Sequence, residues 1–205
     1  KTGKYAIRFT EDKNGNGLLE WLTDPDDLTC KCGESGQDNS PRFDFDQEMD
    51  AIDFSTFACR DAGYLSLIYR ELGDNENADK WQKISDDIKD KVNELMWDEE
   101  TGAYYDRLFD GKLTKMLTPS SFFPLFANIP SKEQAEKMVK ILTDEKQLWT
   151  KVPLATISTL HPAYSNDMWR GGVWLNINYF IIKGLKDYGY NDIANELLTK
   201  TLEMV

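Results

Sequence analysis

Two short stretches of this chain crowd together side chains that can move protons or grip a polar ligand. Residues 33–42 read Gly-Glu-Ser-Gly-Gln-Asp-Asn-Ser-Pro-Arg. Two glycines loosen that backbone, and Pro41 with Asn39 and Ser40 keeps a regular helix from starting before the proline is passed. Such a loop displays side chains and packs no core. Its acids, Glu34 and Asp38, suit general acid–base work, while Asn39 and Arg42 suit oxygen-rich ligands. The structural alternative is an Asx turn closed by Asp38 or Asn39. Residues 166–174, Asn-Asp-Met-Trp-Arg-Gly-Gly-Val-Trp, offer indole faces at Trp169 and Trp174 and a planar donor fork at Arg170. The paired glycines there let a ligand approach main chain. Flat sugar faces stack on such rings; equally, two tryptophans five positions apart pack in cores.

The elements that must hold these loops are mostly helical. Phe54, Phe57, Ala58, Ala62, Leu65, Ile68 and Leu72 recur mostly at spacings of three and four, an amphipathic stripe that Gly73 ends. Trp81, Ile84, Ile88, Val92 and Leu95 form a second stripe, and the short link between the two predicts an antiparallel helical hairpin. The device returns near the end. Residues 173–188 are apolar around most of their circumference and predict the most buried helix, Gly189 stops them, and Ile193, Ala194, Leu197, Leu198 and Leu202 restart the stripe. Between the pairs, Asp110-Gly111 flanked by residues 103–109 and 112–116 predicts a β-hairpin. Residues 119–126 read as a short helix, and Ser131 with Gln134 as a capping box. Residues 150–170 have no period, and a loop that long inside a compact domain is usually functional. Tyr164 lies in it and joins the candidate site.

With 205 residues, 40% hydrophobic and 12% aromatic, the chain can bury a sizeable core. A formal charge of -12 repels phosphate backbones and anionic membranes, so nucleic-acid and lipid-surface partners are disfavoured, whereas a neutral polyol is not. Cys30, Cys32 and Cys59 lack the spacing of a zinc site or a disulfide framework. No leader or bilayer-length apolar run is seen, although the chain starts at Lys1 rather than Met; the compartment stays open, with a cytoplasmic one the favoured expectation. Residues 12–20 reproduce the first nine positions of a calcium loop. Side-chain oxygens stand at Asp12, Asn14 and Asn16, Gly17 follows, and Leu18 supplies a carbonyl and Glu20 a carboxylate. The twelfth position is Thr23, which offers no bidentate carboxylate; an Asn-Gly turn with a solvated acidic rim explains the same residues.

The run Glu34-Ser35-Gly36-x-Asp38-Asn39-Ser40-Pro41-Arg42 resembles glycoside hydrolase family 63. So do Thr118-Pro119-Ser120-Ser121-Phe122-Phe123-Pro124-Leu125-Phe126 and Met168-Trp169-Arg170-Gly171-Gly172-Val173-Trp174-Leu175-Asn176-Ile177-Asn178-Tyr179. That family holds processing α-glucosidases and bacterial relatives acting on short glucosides, and it is related to trehalases, which share the Glu-Ser-Gly-x-Asp core. The three motifs occur in the family's order, and the similarity covers most of the chain from about residue 10.

The resemblance implies an all-α fold, an (α/α)6 toroid of which about half is present, with a small β-hairpin insertion. Residues 1–205 would then form part of a single glycosidase catalytic domain. It also implies inverting hydrolysis of an α-glucosidic bond in α-linked oligosaccharides, with Asp38 as general acid. Trp169, Arg170, Gly171 and Trp174 then line the sugar pocket, with Glu34, Asn39, Arg42 and Tyr164 as further substrate contacts. A carboxyl acting as an acid near neutral pH must hold its proton well above the ~3.9 of a free Asp, and inversion needs a second carboxylate about 6.5–9.5 Å away. In the family that base is a Glu beyond the C-terminal helix hairpin, and this chain stops at Val205. The expected base therefore lies outside it, the remainder of the catalytic domain is an expected partner, and the isolated chain is expected to be inactive. Some relatives hold calcium near an Asp-x-Asn-x-Asn loop, which implies an ion at Asp12, Asn14, Asn16, Leu18 and Glu20, and no organic cofactor. The competing function is a non-catalytic carbohydrate-binding α/α module.

Overall fold

The computed structural model describes residues 12–21, 32–44, 46 and 48–204. The apolar stretch before residue 12, Thr23 and Cys30 lie outside them. Helix α1 (Ile52–Glu71) and helix α2 (Asn75–Leu95) are joined through Gly73, whose φ of 80° is the left-handed conformation that turns the chain back. Asp74 caps α2 by accepting from the N–H of Asn77. The helices run antiparallel, since Ser85 Oγ donates to the Cys59 carbonyl at 2.8 Å and Arg70 pairs with Asp79 near the turn.

The stripe predicted for α1 is only half right. Its buried face is Ile52, Ser55, Thr56, Ala58, Cys59, Ala62 and Ser66, while Ile68 and Leu72 are 54% and 74% exposed. Ser55 accepts from the Leu19 N–H, while Cys59 and Gly63 meet Ser85 of α2, and hydrophobic periodicity does not register such small residues. In α2 the predicted stripe holds its face, although only Ala78 and Val92 are fully buried.

The polypeptide then forms two small antiparallel ladders. Strand β1 (Met49–Asp50) precedes α1, and β2 (Trp97–Asp98), β3 (Ala103–Tyr104) and β4 (Arg107–Leu108) follow α2. The Asp110-Gly111 turn forms, with the Leu108 N–H donating to the Lys112 carbonyl at 2.8 Å and a bridge between Arg107 and Leu113. The predicted single strand over 103–109 is divided, however. Ala103–Tyr104 pairs with β2, and Arg107–Leu108 pairs with β1, where buried Asp50 takes the Arg107 guanidinium. A long-range ion pair thus accompanies this register.

Pro119–Leu125 is a 3₁₀-helix buried at every position, and α3 (Lys132–Leu142) carries the predicted Ser131/Gln134 capping box. Helix α4 (Leu175–Asp187) and helix α5 (Asn191–Leu202) form the second hairpin, with Gly189 at φ 85° between them. The expectation of a helix buried around its circumference fails for α4. Ile177, Ile181, Ile182 and Leu185 enter the core, but Leu175 and Tyr179 are exposed. Tyr104, Phe122, Phe123, Leu125, Met138 and Leu142 fill the centre where all these elements meet. Among the described residues, no helix is long and apolar enough to cross a membrane.

Gly184 sets how closely α4 lies on the 3₁₀-helix, since a Cβ there would meet Phe126 N at 2.7 Å and the Leu125 carbonyl carbon at 2.8 Å. The obstacle is largely main chain and cannot rotate away. Gly184→Ala is therefore expected to cost about 2 kcal/mol or more in urea unfolding, beyond any gain in helix propensity. An unchanged midpoint would show that α4 can slide.

Candidate active site

Residues 32–44 are built around one buried arginine. A short 3₁₀ turn, Gly33–Ser35, leads into a tight turn in which the Ser40 N–H donates to the Gln37 carbonyl at 2.9 Å, placing Asp38 at its tip. A second 3₁₀ turn, Pro41–Phe43, is capped by Ser40 and buries Arg42. Arg42 Nη1 donates to Asp53 Oδ2 at 2.5 Å, Ser120 Oγ at 3.0 Å and Gln37 Oε1 at 3.2 Å. Its Nη2 donates to Asp106 Oδ1 at 2.7 Å and to Asp53 Oδ1, and its Nε to Asp106 Oδ2 at 2.9 Å. Every edge of the guanidinium is used. The sequence assigns Arg42 to sugar contact; the structure instead has it join the loop to α1, to the hairpin segment and to the 3₁₀-helix.

The two carboxylates in turn receive the first N–H groups of α1, from Ile52 to Asp106 and from Phe54 to Asp53. Those donors have no partner within the helix, and Ala51 gives no side-chain cap. Burial alone would push the Asp53 carboxyl up. The Arg42 charge and hydrogen bonds, with those from Trp21 and Ser120, outweigh it and hold Asp53 below the usual carboxylate range.

Both neighbours of Asp38 are anchored. Gln37 donates to Asp53 Oδ2 at 3.1 Å and accepts from Arg42. Asn39 faces the other way. Its Nδ2 donates to Asp167 Oδ2 at 2.9 Å and its Oδ1 accepts from the Trp169 N–H at 2.9 Å, 130 residues away. Asp44 receives Arg170 Nη2 on both oxygens, at 2.7 and 2.8 Å. The two stretches that sequence singled out are therefore clasped together, with Asp38 exposed between the anchors and Glu34 exposed nearby.

Several expected substrate contacts also hold the loops in shape. Asn39 spends its amide on the clasp. Trp169 is 8% exposed and stacks on Trp174 with centroids 4.5 Å apart and planes at 8°, so one face of each indole is taken. Gly171 has φ 153°, and a Cβ there would lie 2.0 Å from the Ser165 carbonyl oxygen and 2.8 Å from Tyr164 Cε2. Its missing side chain makes room for its own loop. Arg170 and Tyr164 remain partly exposed at the rim. Sequence reading missed the partners Gln37, Asp53, Asp106 and Asp167. Only Asp53, in the first turn of a helix, carried a local signal.

The loop at residues 12–20 folds on itself. Asp12 accepts from the N–H groups of Asn16 and Gly17, Asn16 Oδ1 accepts from Leu18 N–H, and the Glu20 carboxylate accepts from Lys13 N–H. The amides of Asn14 and Asn16 both donate to Asp50 at 2.7 Å. Burial, with the charges of Asp50 and Asp12, pushes the Glu20 carboxyl up to about 7. The donor atoms are all oxygen, which suits a hard cation in kind. Among the described residues, no group of three or more His, Cys, Asp or Glu side chains is placed to hold a metal, so an ion here would depend on amide and main-chain oxygens.

Paired helices carrying a carboxylate turn clasped to an indole–arginine loop define a domain of the helical-toroid glycoside hydrolase type. The family described as the mannosylglycerate hydrolase MGH1-like glycoside hydrolase domain matches residues 10–205, and the chain belongs to it. Over 150 residues it is 31% identical to a mannosylglycerate hydrolase of Rubrobacter radiotolerans, covering 70% of this chain and 33% of that protein. Over 118 residues it is 31% identical to the cytosolic neutral trehalase of Kluyveromyces lactis, covering 52% and 16%. The crystal structure of a GH63 mannosylglycerate hydrolase from Thermus thermophilus in complex with Tris superposes with a TM-score of 0.68 at 24% identity, covering 76% of this chain and 37% of that one. At that identity the likeness is one of fold, and it places the helical hairpins in the (α/α)6 toroid class. The chain spans about a third of the length of the first curated relatives it matches.

A depressed Asp53 stabilises the fold fully above the unfolded value of ~3.9, and that contribution is lost as pH falls through the lower folded value. Asp53→Asn leaves Arg42 short of one buried partner charge, at a cost of about 3 kcal/mol or more at pH 7. Urea unfolding from pH 2.5 to 7 is expected to show the gap between the two proteins closing below about pH 4. A gap constant across that range would remove Asp53 from the acid response.

Proposed function

We propose that this chain supplies the acid-bearing side of an inverting α-glycosidase site. Asp38 protonates the departing glycosidic oxygen while a water attacks the anomeric carbon from the opposite face, activated by a carboxylate from outside residues 1–205. The observation that carries this reading is the bracketing of Asp38. Gln37 ties one side to the Arg42 centre and Asn39 ties the other to the Trp169 main chain, so the carboxyl is the displayed group of an otherwise immobilised turn. Preorganisation of that kind favours a group whose position relative to a ligand matters. The membership of the family and the mannosylglycerate hydrolases and trehalases among the relatives support a glycoside substrate. An α-glucoside fits the three motifs, and an α-mannoside fits the relatives' names.

The exposure of Asp38 favours a second reading, a carbohydrate-binding module in which the carboxylate only accepts hydrogen bonds. The two readings separate on turnover. Within a complete catalytic domain that includes this segment, Asp38→Asn is expected to lower kcat by about 10³ or more, with glycoside affinity held within a few-fold. The purified 205-residue chain by itself is expected to show no turnover. Undiminished hydrolysis by the variant would move the acid elsewhere, and robust hydrolysis by the chain alone would place the base inside it.

We also propose a calcium ion at Asp12, Asn14, Asn16, the Leu18 carbonyl and Glu20, where it would tie this loop to β1 through Asp50. Oxygen donors at alternating positions around glycines support it. Calcium is expected to raise the melting temperature over that in a chelator, and Asp12→Ala to abolish the difference. Identical melting in both conditions would leave the loop a purely hydrogen-bonded turn.

A further inference from the structure

The two anchors of the Asp38 turn differ in kind. Asn39 reaches across to Asp167 and the Trp169 main chain, at an exposed contact with the opposite loop. Gln37 binds only within the acid-bearing side. Its carboxamide is bipolar, and each end meets the charge that suits it: Nε2 donates to Asp53 Oδ2 at 3.1 Å, and Oε1 accepts from Arg42 Nη1 at 3.2 Å. The residue is 7% exposed, and its own N–H donates to Ser35 Oγ at 3.0 Å. Just before it, Gly36 is left-handed at φ 68°, and nothing lies within 4 Å of the place a Cβ would take there. On that side of Asp38 the backbone is open at Gly36 and gripped at Gln37. The ion cluster can spare this grip. Without it Arg42 Nη1 keeps Asp53 and Ser120, and Asp53 keeps Arg42, Ser120, Trp21 and the Phe54 N–H. The consequence of the Gln37 side chain therefore falls on the next residue.

We infer that Gln37 is a positioning residue for proton transfer: it aims the Asp38 carboxyl at the departing oxygen and takes no part in sugar binding or in the attack of water. The inference rests on the reading of Asp38 as general acid, and it adds the residue that orients that acid. With a glycoside, Asp38 gives its proton to the glycosidic oxygen as the bond to the anomeric carbon breaks and its electron pair passes to that oxygen. Water forms the new bond to the carbon and gives its proton to the base outside residues 1–205. An α-glycosyl fluoride reacts at the same carbon with the same water and base. Its carbon–fluorine electron pair leaves with fluoride ion, which needs no proton from Asp38. A misaimed acid thus slows the glycoside and spares the fluoride.

The test is made in a complete catalytic domain that includes this segment. Its probes are two pairs, α-mannosylglycerate with α-mannosyl fluoride and trehalose with α-glucosyl fluoride, and the pair whose glycoside the wild-type domain hydrolyses is followed. Gln37→Met keeps the length of the side chain and removes both of its hydrogen bonds. It is expected to lower kcat on the glycoside by about 10–100-fold, the effect of misplacing a reacting group by about an ångström, with KM held within about two-fold. On the fluoride kcat is expected to stay within about three-fold of wild type, which a general loosening of the site would not allow. Asp38→Asn is the reference and is expected to split the pair in the same direction and further. Thermal melting checks that each variant is folded, and Gln37→Leu replaces Gln37→Met if the latter is not. A folded Gln37 variant that slows both probes alike, or neither, overturns the inference while the split in Asp38→Asn leaves the acid in place. Absence of that split in Asp38→Asn, or a wild-type domain that hydrolyses none of the four probes, overturns the acid reading and this inference with it.

Discussion

A single buried guanidinium holds the frame together. Arg42 lies at the end of the acid-bearing loop, yet its bonds run to the start of α1, to the segment before β4 and to the 3₁₀-helix at Pro119–Leu125. Taking one cation and two carboxylates out of water is costly, and the arrangement is stable only because nearly every lone pair and proton finds a partner. The Trp21 indole, the Gln37 amide, the Ser120 hydroxyl and the first N–H groups of α1 complete the set. The same bonds that satisfy the helix N-terminus therefore fix the loop. A displacement of α1 would be felt at Gln37, and so next to Asp38.

From that centre the site is assembled by two clasps of different character. Asn39 uses neutral, directional hydrogen bonds to the main chain at Trp169 and to Asp167, which set distance and register. Asp44 and Arg170 use charge near solvent, which is less exacting in geometry and is screened by salt. Between them a chain segment remote in sequence is held against the turn that carries the carboxyl. The stacked indoles and the glycines at 171 and 172 give that segment its shape.

The helical hairpins, their glycine stops, the Ser131/Gln134 cap and the short buried helix after Pro119 were all legible in the chain, because each depends on neighbours within one or two turns. Which face of α1 turns inward was not. Its buried side is largely Ser, Thr, Ala and Cys, and a hydrophobic scale gives them little weight. The β-hairpin shows the same division: the Asp110-Gly111 turn is local and was found, while the partner of residues 107–108 is a strand almost 60 positions earlier.

For the site, the residue types alone marked out the two loops and placed the carboxyl at position 38 among the groups on display. Spacing and composition select for a flexible, polar, non-helical backbone, and that property is intrinsic to the residues. The roles within the loops were decided only by the fold. Arg42 and Asn39 look like ligand-binding groups in the sequence and become internal fasteners once Asp53, Asp106, Asp167 and the Trp169 main chain arrive from elsewhere. A polar side chain binds whatever partner the folded chain brings within three ångströms, and no local pattern encodes which partner that will be.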